Sequence, residues 1–379
     1  MCPSVSATRS KRTPNLPQAT VRPAASFPRL CCVPLLLFLV ALVSAQTPSA
    51  VEPGPKPRDI PARWKPWIGE YSWSAEEKVS FPAYVVGEED GSIFILRREG
   101  QSEKLKYESI DRFPVSTSPS GPDHRYFQSR ESSAYVFVLG DVVMGKTTPN
   151  FDARAQVLIK AIRPVSELRP EALAASPPRE DGNFRKPELV ELTTLDSAIH
   201  LDIRYATTND FLGTPVYTQA RAFLQRPAAE ALLRALHKLQ PLGYGLLIHD
   251  AYRPWYVTKI FWDATPPEGK IFVADPAQGS RHNRGCAADL TLYDLASGKP
   301  IEMPGTYDEM SPRSFPDYPG GTSLQRWHRD LLRRAMESEG FTVYEHEWWH
   351  FDYKDWREYP ILNIKFEDLK SGRGLATTH

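Results

Sequence analysis

Two proline-rich segments constrain the fold of this chain more than any other feature of its sequence. Residues 46–60 (QTPSAVEPGPKPRDI) and residues 166–187 are rich in proline and in small or polar residues. Proline fixes the backbone φ angle and has no N–H donor, so such segments favour extended connections over helices and sheets. We therefore expect a spacer at 46–60, a linker at 166–187, and two separately folded parts at 61–165 and 188–379.

The first 45 residues have the pattern of an export signal. A basic stretch without acidic residues precedes the apolar run LCCVPLLLFLVALV at residues 30–43, and the small residues VSA end at position 45. This order predicts a cleavable signal peptide over residues 1–45 and a periplasmic or extracellular protein. An uncleaved membrane anchor is the alternative, although the run is short for a bilayer span and contains Pro34.

Charge and cysteine content exclude several classes of function. The chain has 46 basic and 46 acidic residues. The charged residues of the signal segment are all basic, so the remainder of the chain has a slightly negative net charge. We therefore expect no nucleic-acid partner and, once the signal is cleaved, no membrane partner.

Outside the signal segment Cys286 has no second cysteine with which to form a disulfide. We interpret it as a small buried residue instead of a nucleophile, because no activating histidine pattern surrounds it.

The two folded parts differ in their apolar patterns. Between residues 61 and 165, short apolar runs such as SIFILRR and AQVLIKAI alternate with turn-forming segments, which predicts a small antiparallel β-rich accessory module. Within 188–379, the spacing of leucines predicts amphipathic helices at 225–239 and 323–339, and GYGLLIHD predicts a buried strand. The second part is therefore expected to be an α+β domain.

Two clusters of potential metal ligands lie in the second part. The string SRHNRGCAADLTL contains His282 and Asp289, and the string EHEWWHFDY contains Glu347 and His350. Two histidines and one aspartate would give three ligands and leave a fourth position for water, which is the pattern of a catalytic zinc site. A single histidine or aspartate in a loop is more often a hydrogen-bonded structural residue, so spacing alone leaves both interpretations open.

A competing motif overlaps the second cluster. Residues 346–350 read HEWWH and match H-E-x-x-H, which binds zinc when both histidines lie on one face of a helix. The segment is rich in aromatic and β-branched residues, so we predict a strand, in which His346 and His350 would lie about 13 Å apart, too far to bind one ion. Glu347 and His350 would point to opposite faces of a regular strand, so the zinc hypothesis requires a bulge, a twist or a strand end there.

Several short patterns spread over residues 196–369 resemble those of one family. They are S-x-H-x-x-G-x-A-x-D at 280–289, E-W-W-H at 347–350, Y-R-P at 252–254, R/K-Y-A-T at 204–207 and, with Asp210 in place of asparagine, N-F-x-G at 210–213. Together they resemble the D-alanyl-D-alanine dipeptidases, within the larger group of zinc D-Ala-D-Ala peptidases. The resemblance implies an α+β catalytic domain of that type, preceded here by the small antiparallel β module.

The resemblance implies roles at the reacting centre. His282, Asp289 and His350 would bind one zinc ion, and Glu347 would be the catalytic base. Arg253, from the Y-R-P pattern, would stabilise the tetrahedral intermediate, with a structural salt bridge as the alternative. The position of His346 need not be histidine in the family, which implies that His346 is incidental to the metal site.

The resemblance also implies the substrate. Asp308 would bind the free ammonium of a small dipeptide, and Ser280 and Tyr205 would contact it; a turn carboxylate and a core aromatic are the alternatives for Asp308 and Tyr205. The implied activity is zinc-dependent hydrolysis of D-alanyl-D-alanine or a similar D,D-dipeptide. A zinc carboxypeptidase or endopeptidase acting on peptidoglycan stem peptides, and a non-catalytic zinc-binding module, are the alternative functions. An export signal would favour recycling of cell-wall dipeptides over the cytoplasmic resistance role of some family members.

Overall fold

A computed structural model describes residues 50–72, 84–99, 106–115, 126–128, 135–139, 142–147 and 157–369 of the chain. The expected signal peptide at residues 1–45 lies outside these ranges. Within them, no helix has the length and apolar character that a bilayer span requires.

Seven described strands between residues 69 and 146 form an antiparallel sheet, which we call the N-terminal sheet. In chain order they are β1 Gly69–Ser72, β2 Tyr84–Glu89, β3 Ser92–Glu99, β4 Lys106–Pro114, β5 Tyr126–Gln128, β6 Tyr135–Leu139 and β7 Val142–Lys146. Their order across the sheet is β4-β3-β2-β1-β7-β6-β5. The turn Asp90-Gly91 joins β2 to β3 with positive φ at both residues, which matches the twist of a tight hairpin.

The second part, which we call the mixed domain, contains helices and two further sheets. Its helices are α1 Val165–Ala174, α2 Arg226–Leu239, α3 Trp255–Ala264 and α4 Ser323–Glu337. Its strands are β8 Leu189–Glu191, β9 Ile199–Leu201, β10 Phe223–Gln225, β11 Tyr244–Asp250, β12 Ala287–Asp294, β13 Phe341–Tyr344 and β14 Glu347–Tyr353. A five-stranded sheet has the order β13-β14-β12-β11-β9, and β8 pairs with β10. All these pairs are antiparallel except β9 with β11, and the mixture agrees with the α+β expectation.

The amphipathic helices form where the leucine spacing predicts them. Helix α2 begins at Arg226, one residue later than expected, because Gln225 ends β10. A capping box of Thr322 and Gln325 starts α4, which ends at Glu337, and Gly340 follows with a φ of 87°. The inner faces of both helices belong to the buried core of the mixed domain, which also contains the strands beside the candidate site.

The described parts of both proline-rich segments contribute buried residues to the mixed domain, which the spacer and linker interpretation does not include. Val51, in the first segment, is buried in the core of the mixed domain. The second segment contributes most of helix α1, and the helix buries Val165, Leu168 and Ala172 in the same core. Burial of these apolar side chains outweighs the low helix propensity of Pro170 inside α1.

The expected strand AQVLIKAI is not a strand in its described part, residues 157–162. The amide of Ile159 donates to the Phe211 carbonyl, and that of Ile162 donates to the Ala264 carbonyl, both at 2.9 Å. A loop and the end of helix α3 in the mixed domain therefore accept these hydrogen bonds, and the described part of the segment adds no strand to the N-terminal sheet.

Candidate active site

Two neighbouring strands and a tight turn carry the candidate metal ligands. Asp289 on β12 is paired directly with His350 on β14. His282 begins a 3₁₀ turn, His282–Arg284, that leads through Gly285 into β12. Gly285 has a φ of 66°, and a Cβ there would meet Leu189 at 2.6 Å, so this turn requires glycine. The predicted turn between the first two ligands is therefore present.

The ligand atoms of these three side chains converge. His350 Nδ1 lies 3.0 Å from Asp289 Oδ1 and 3.1 Å from His282 Nε2, and His282 Nε2 lies 3.3 Å from Asp289 Oδ1. All three residues are buried, and among the described residues they form a group whose ligand atoms lie within 4.8 Å of one another. Two imidazole nitrogens and one carboxylate oxygen at these separations could hold one metal ion.

Hydrogen bonds fix the outward nitrogen of each histidine ring. His282 Nδ1 lies 2.7 Å from the Ala251 carbonyl oxygen, and His350 Nε2 lies 2.9 Å from Asp352 Oδ1. Each outward nitrogen donates its proton to that oxygen when the ring is neutral. The inward nitrogens then direct lone pairs toward the same point, which is the usual arrangement of metal-binding histidines.

Asp289 is also suited to bind a cation. Its Oδ2 accepts a hydrogen bond from the Tyr307 hydroxyl at 3.2 Å, whereas its buried Oδ1 has no hydrogen-bond partner in the described structure. Burial acts to raise the pKa of Asp289, but the two facing histidines outweigh it and hold the pKa well below its usual range. The carboxylate is therefore ionised and oriented toward the centre of the group.

A β-bulge brings Glu347 to the same cleft as His350. Strands β13 and β14 pair Val343 with Phe351 and then Tyr344 with Glu347, so residues 348–350 are accommodated between two consecutive pairs. The bulge bends β14, so positions 347 and 350 both line the cleft, although a regular strand would point them apart. Glu347 Oε2 lies 3.6 Å from His350 Nδ1. The irregularity that the zinc hypothesis required is present.

His346 lies apart from the three converging ligands. It is in the turn between β13 and β14, with its ring centroid 5.3 Å from those of Phe315 and Tyr344. Because Glu347–Tyr353 is a strand, the helical arrangement of H-E-x-x-H is not formed.

The environment of Glu347 raises the pKa of its carboxyl group toward neutral pH. Burial raises the pKa of Glu347 to about 7; His350 and Arg253 oppose this rise, and the charge of Asp289 adds to it. A carboxylate with a pKa near neutrality can both accept and return a proton at ordinary pH.

Arg253 is held beside the cluster by an aspartate that the sequence did not indicate. Its Nε and Nη2 lie 2.9 and 2.8 Å from Asp250 Oδ2, and its Nη2 lies 3.8 Å from Asp289 Oδ2. Asp250 ends β11 and accepts a further hydrogen bond from the Tyr217 hydroxyl at 2.6 Å. The salt bridge considered as the alternative role for Arg253 is therefore present, and the guanidinium also lines the cleft.

Asp308, Tyr205 and Ser280 line the same cleft, whose free volume is about 110 Å³. The Tyr205 hydroxyl donates to Asp308 Oδ1 at 3.0 Å, while Asp308 Oδ2 is buried and has no hydrogen-bond partner in the described structure. Burial raises the pKa of Asp308 well above its usual range, and the charges of Asp289 and Glu347 raise it further. A cationic group placed beside Asp308 Oδ2 would reverse this effect.

Three residues that support the site were missed by the sequence analysis: Asp250, Asp352 and Tyr307. Asp352 could have been found, because it lies two positions after His350 and neighbouring side chains of this spacing share one face of a strand. Asp250 lies three positions before Arg253, so its proximity was also a local signal, whereas Tyr307 contacts Asp289 only through the tertiary fold.

Comparisons with known proteins identify the family. Residues 185–369 match the peptidase family M15, described as D-ala-D-ala dipeptidase. The chain is 35% identical to the D-alanyl-D-alanine dipeptidase of Escherichia coli over 179 residues, which cover 47% of this chain and 91% of that protein. It is 35% identical to the D-alanyl-D-alanine dipeptidase of Enterococcus faecium over 198 residues, covering 47% and 98%. For the enzyme of the same name from Streptomyces coelicolor, identity is 34% over 179 residues, covering 42% and 89%. Because these relatives are matched over most of their length, the chain belongs to the D-alanyl-D-alanine dipeptidase family and is a metallopeptidase.

Proposed function

We propose that this protein hydrolyses D-alanyl-D-alanine, or a similar D,D-dipeptide, to free D-alanine in a zinc-dependent reaction. The observation that carries the proposal is the convergence of His282 Nε2, Asp289 Oδ1 and His350 Nδ1 beside the buried carboxylate of Glu347. A closed structural site would use four protein ligands, whereas three ligands and an adjacent base are typical of a hydrolytic site.

His282, Asp289 and His350 would hold the zinc ion. When bound, zinc supplies a Lewis acid that polarises the scissile carbonyl and lowers the pKa of water. The Ala251 carbonyl and the Asp352 carboxylate keep both rings in the required orientation by accepting the protons of their outward nitrogens.

Glu347 would act as the base. Its carboxylate takes a proton from the attacking water and returns it to the amine that leaves. Arg253, fixed by a hydrogen bond from Nε and an ion-pair contact from Nη2 to Asp250, presents its guanidinium to the cleft, where it can stabilise negative charge on the carbonyl oxygen. The paired aspartate keeps the arginine in place before substrate arrives, so no reorganisation is required during the reaction.

Asp308 would select dipeptides with a free amino end. The substrate ammonium would pair with Asp308 Oδ2, which no described group of the protein satisfies, while Tyr205 holds Oδ1. Ser280 would contact the substrate from the turn that precedes His282. A peptide extended at its amino end loses the ion pair and adds bulk at a buried carboxylate, so we favour a dipeptidase over an enzyme that trims stem peptides.

The experiment compares three substrates of the purified protein with and without a metal chelator. We expect rapid hydrolysis of D-alanyl-D-alanine, loss of activity after chelation and recovery on adding zinc. N-acetyl-D-alanyl-D-alanine and a stem peptide ending in D-Ala-D-Ala should react far more slowly. Faster cleavage of the stem peptide would instead support a carboxypeptidase, and metal binding without any hydrolysis would support a binding module.

We further propose that the protein is exported and loses residues 1–45. The basic and apolar order of that segment and the small residues before Gln46 support the proposal. Cell fractionation and mass determination of the mature amino terminus test it: retention of the whole segment in a membrane fraction would support the anchor instead.

A further inference from the structure

The proposed ammonium-binding residue lies on a long connection and not on a regular element. Residues 295–322 join β12 to α4 and include a single short 3₁₀ turn, Pro312–Ser314. Asp308 has a φ of 59° within this connection, a left-handed conformation that is uncommon for a residue other than glycine. Such a conformation persists when surrounding contacts determine it, so the contacts that hold this connection also determine where the carboxylate of Asp308 lies.

The carboxylate of Glu309 bridges the residues that precede and follow Asp308 in the connection. Its Oε2 accepts a hydrogen bond from the Thr306 amide at 2.9 Å, and its Oε1 accepts one from the Ser311 hydroxyl at 2.8 Å. The buried Arg313 places its Nε 3.4 Å from the same Oε1. One carboxylate therefore ties together the residues on both sides of Asp308.

Arg313 extends this group to the N-terminal sheet, because it lines one cavity together with Gly69 of β1. Glu70 on β1 is buried, which raises its pKa to about 8, and the nearby positive charge of Arg313 opposes that rise. Burial acts to lower the pKa of Arg313, but the charges of Glu309 and Glu70 raise it above its usual value. The guanidinium thus lies in the field of one carboxylate from the sheet and one from the Asp308 connection.

Glu88 of strand β2, which is 2% exposed, binds the end of the same connection that leads into α4. The Glu88 amide donates to the Gly321 carbonyl at 3.0 Å. Its carboxylate accepts hydrogen bonds from the Gly91 amide at 2.8 Å and the Ser323 amide at 2.9 Å, and its carbonyl accepts one from Arg326 Nη2 at 2.8 Å. A carboxylate at the first residue of α4 satisfies an amide that has no partner inside the helix and interacts favourably with the helix dipole.

We propose that the N-terminal sheet is a positioning element for substrate binding, in which Glu88 holds the end of the connection 295–322 so that Asp308 meets the substrate ammonium. The family match begins at residue 185, so the sheet lies outside the region that this chain shares with its relatives. Glu88 does not line the cleft and acts on the substrate through the connection alone. The inference rests on the proposed role of Asp308.

The test measures steady-state kinetics of the full chain with D-alanyl-D-alanine. Glu88→Ala should raise KM about tenfold and leave kcat within about twofold, because the ammonium contact weakens while the metal ligands and Glu347 keep their geometry. Glu89→Ala is the matched control: the neighbouring carboxylate is 49% exposed and pairs with Arg112 inside the sheet. Unchanged KM in Glu88→Ala, or an equal rise in Glu89→Ala, would overturn the inference.

Because Glu88 is buried, its replacement can also lower the stability of the whole protein. A milder variant therefore separates a positioning role from a general loss of stability. Ser323→Ala removes the hydroxyl that donates to the Glu88 carbonyl at 3.2 Å and accepts from the Asp90 amide at 3.3 Å. KM should rise in the same direction by a smaller factor at a temperature where both variants are fully folded. A fall confined to kcat, or a lower melting temperature with unchanged KM, would mean that the sheet has a structural role alone.

A double-mutant cycle with Asp308→Asn distinguishes failure of this inference from failure of the proposed function. We expect Asp308→Asn to raise KM and Glu88→Ala to add no further rise in that background. If Asp308→Asn raises KM and Glu88→Ala does not, the inference fails while the ammonium role stands. If Asp308→Asn leaves KM unchanged, the ammonium role itself is refuted. Effects that multiply in the double variant would show that Glu88 acts apart from Asp308, which also overturns the inference.

Discussion

The carboxylate behind His350 offers a test of the metal site that leaves every proposed ligand in place. Asp352 Oδ1 lies 2.9 Å from His350 Nε2, and Asp352 Oδ2 lies 3.4 Å from Arg281 Nε. Asp352→Ala removes the acceptor that keeps the proton on Nε2 and directs the Nδ1 lone pair toward the ion. The ion pair with Arg281 is lost as well, but the arginine side chain is 40% exposed, so that pair contributes little.

The expected magnitude follows from the single hydrogen bond removed. Loss of a carboxylate that orients a metal-bound histidine weakens metal binding by about 10- to 100-fold, or about 1.4 to 2.8 kcal/mol. The kcat value at saturating zinc should change much less, because Glu347 and Arg253 remain.

The assay is competition for zinc between the protein and a chromophoric chelator at fixed pH, with circular dichroism to verify folding. Asp355→Ala is the control, since Asp355 pairs with Arg185 and is 22% exposed. This variant should bind zinc as tightly as the unmodified protein. Equal zinc affinity in Asp352→Ala and the unmodified protein would show that Asp352 does not orient His350 for metal binding.

Three further predictions concern the base, the arginine and a buried aspartate. Glu347→Ala should keep its zinc, measured by metal analysis, and lose nearly all hydrolysis; normal turnover would contradict the mechanism. Arg253→Lys should retain zinc and lower kcat by at least about tenfold, because the single nitrogen of lysine cannot contact Asp250 as the two arginine nitrogens do and still reach the oxyanion; unchanged kcat would argue against that role. Asp210 Oδ1 accepts amide hydrogen bonds from Leu212 and Thr214, and burial raises its pKa from 3.8 to about 6. The folded state therefore favours the protonated form, and its stability falls as the pH rises through this range, so Asp210→Asn should raise the melting temperature at about pH 8 and change it little at about pH 4. A gain at both pH values, or at neither, would contradict this sign.

Elements with a clear local pattern could be predicted from the sequence. The leucine spacing of α2 and α4 and the apolar run of β11 indicate buried faces directly, and Gly285 indicates the turn before β12. These features place His282 and Asp289 on a rigid scaffold. The position of Glu347 could not be predicted, because the bulge in β14 depends on how that strand pairs with β13.

Contacts between distant segments had no local signal. Ser323 and Glu88 are separated by 235 positions in the chain, and the polar character of each is common at a surface. The proline-rich segments were misleading for a related reason: their composition favours extended chain, but buried Val51 and the apolar face of α1 stabilise packed conformations. Local propensity determines structure only where tertiary packing does not oppose it.

Zinc content of two purified histidine variants distinguishes the proposed ligand set from the H-E-x-x-H arrangement. We expect His282→Ala to lose its metal and His346→Ala to retain about one zinc ion per chain and remain active. Loss of zinc from His346→Ala with retention in His282→Ala would show instead that the H-E-x-x-H histidines bind the ion.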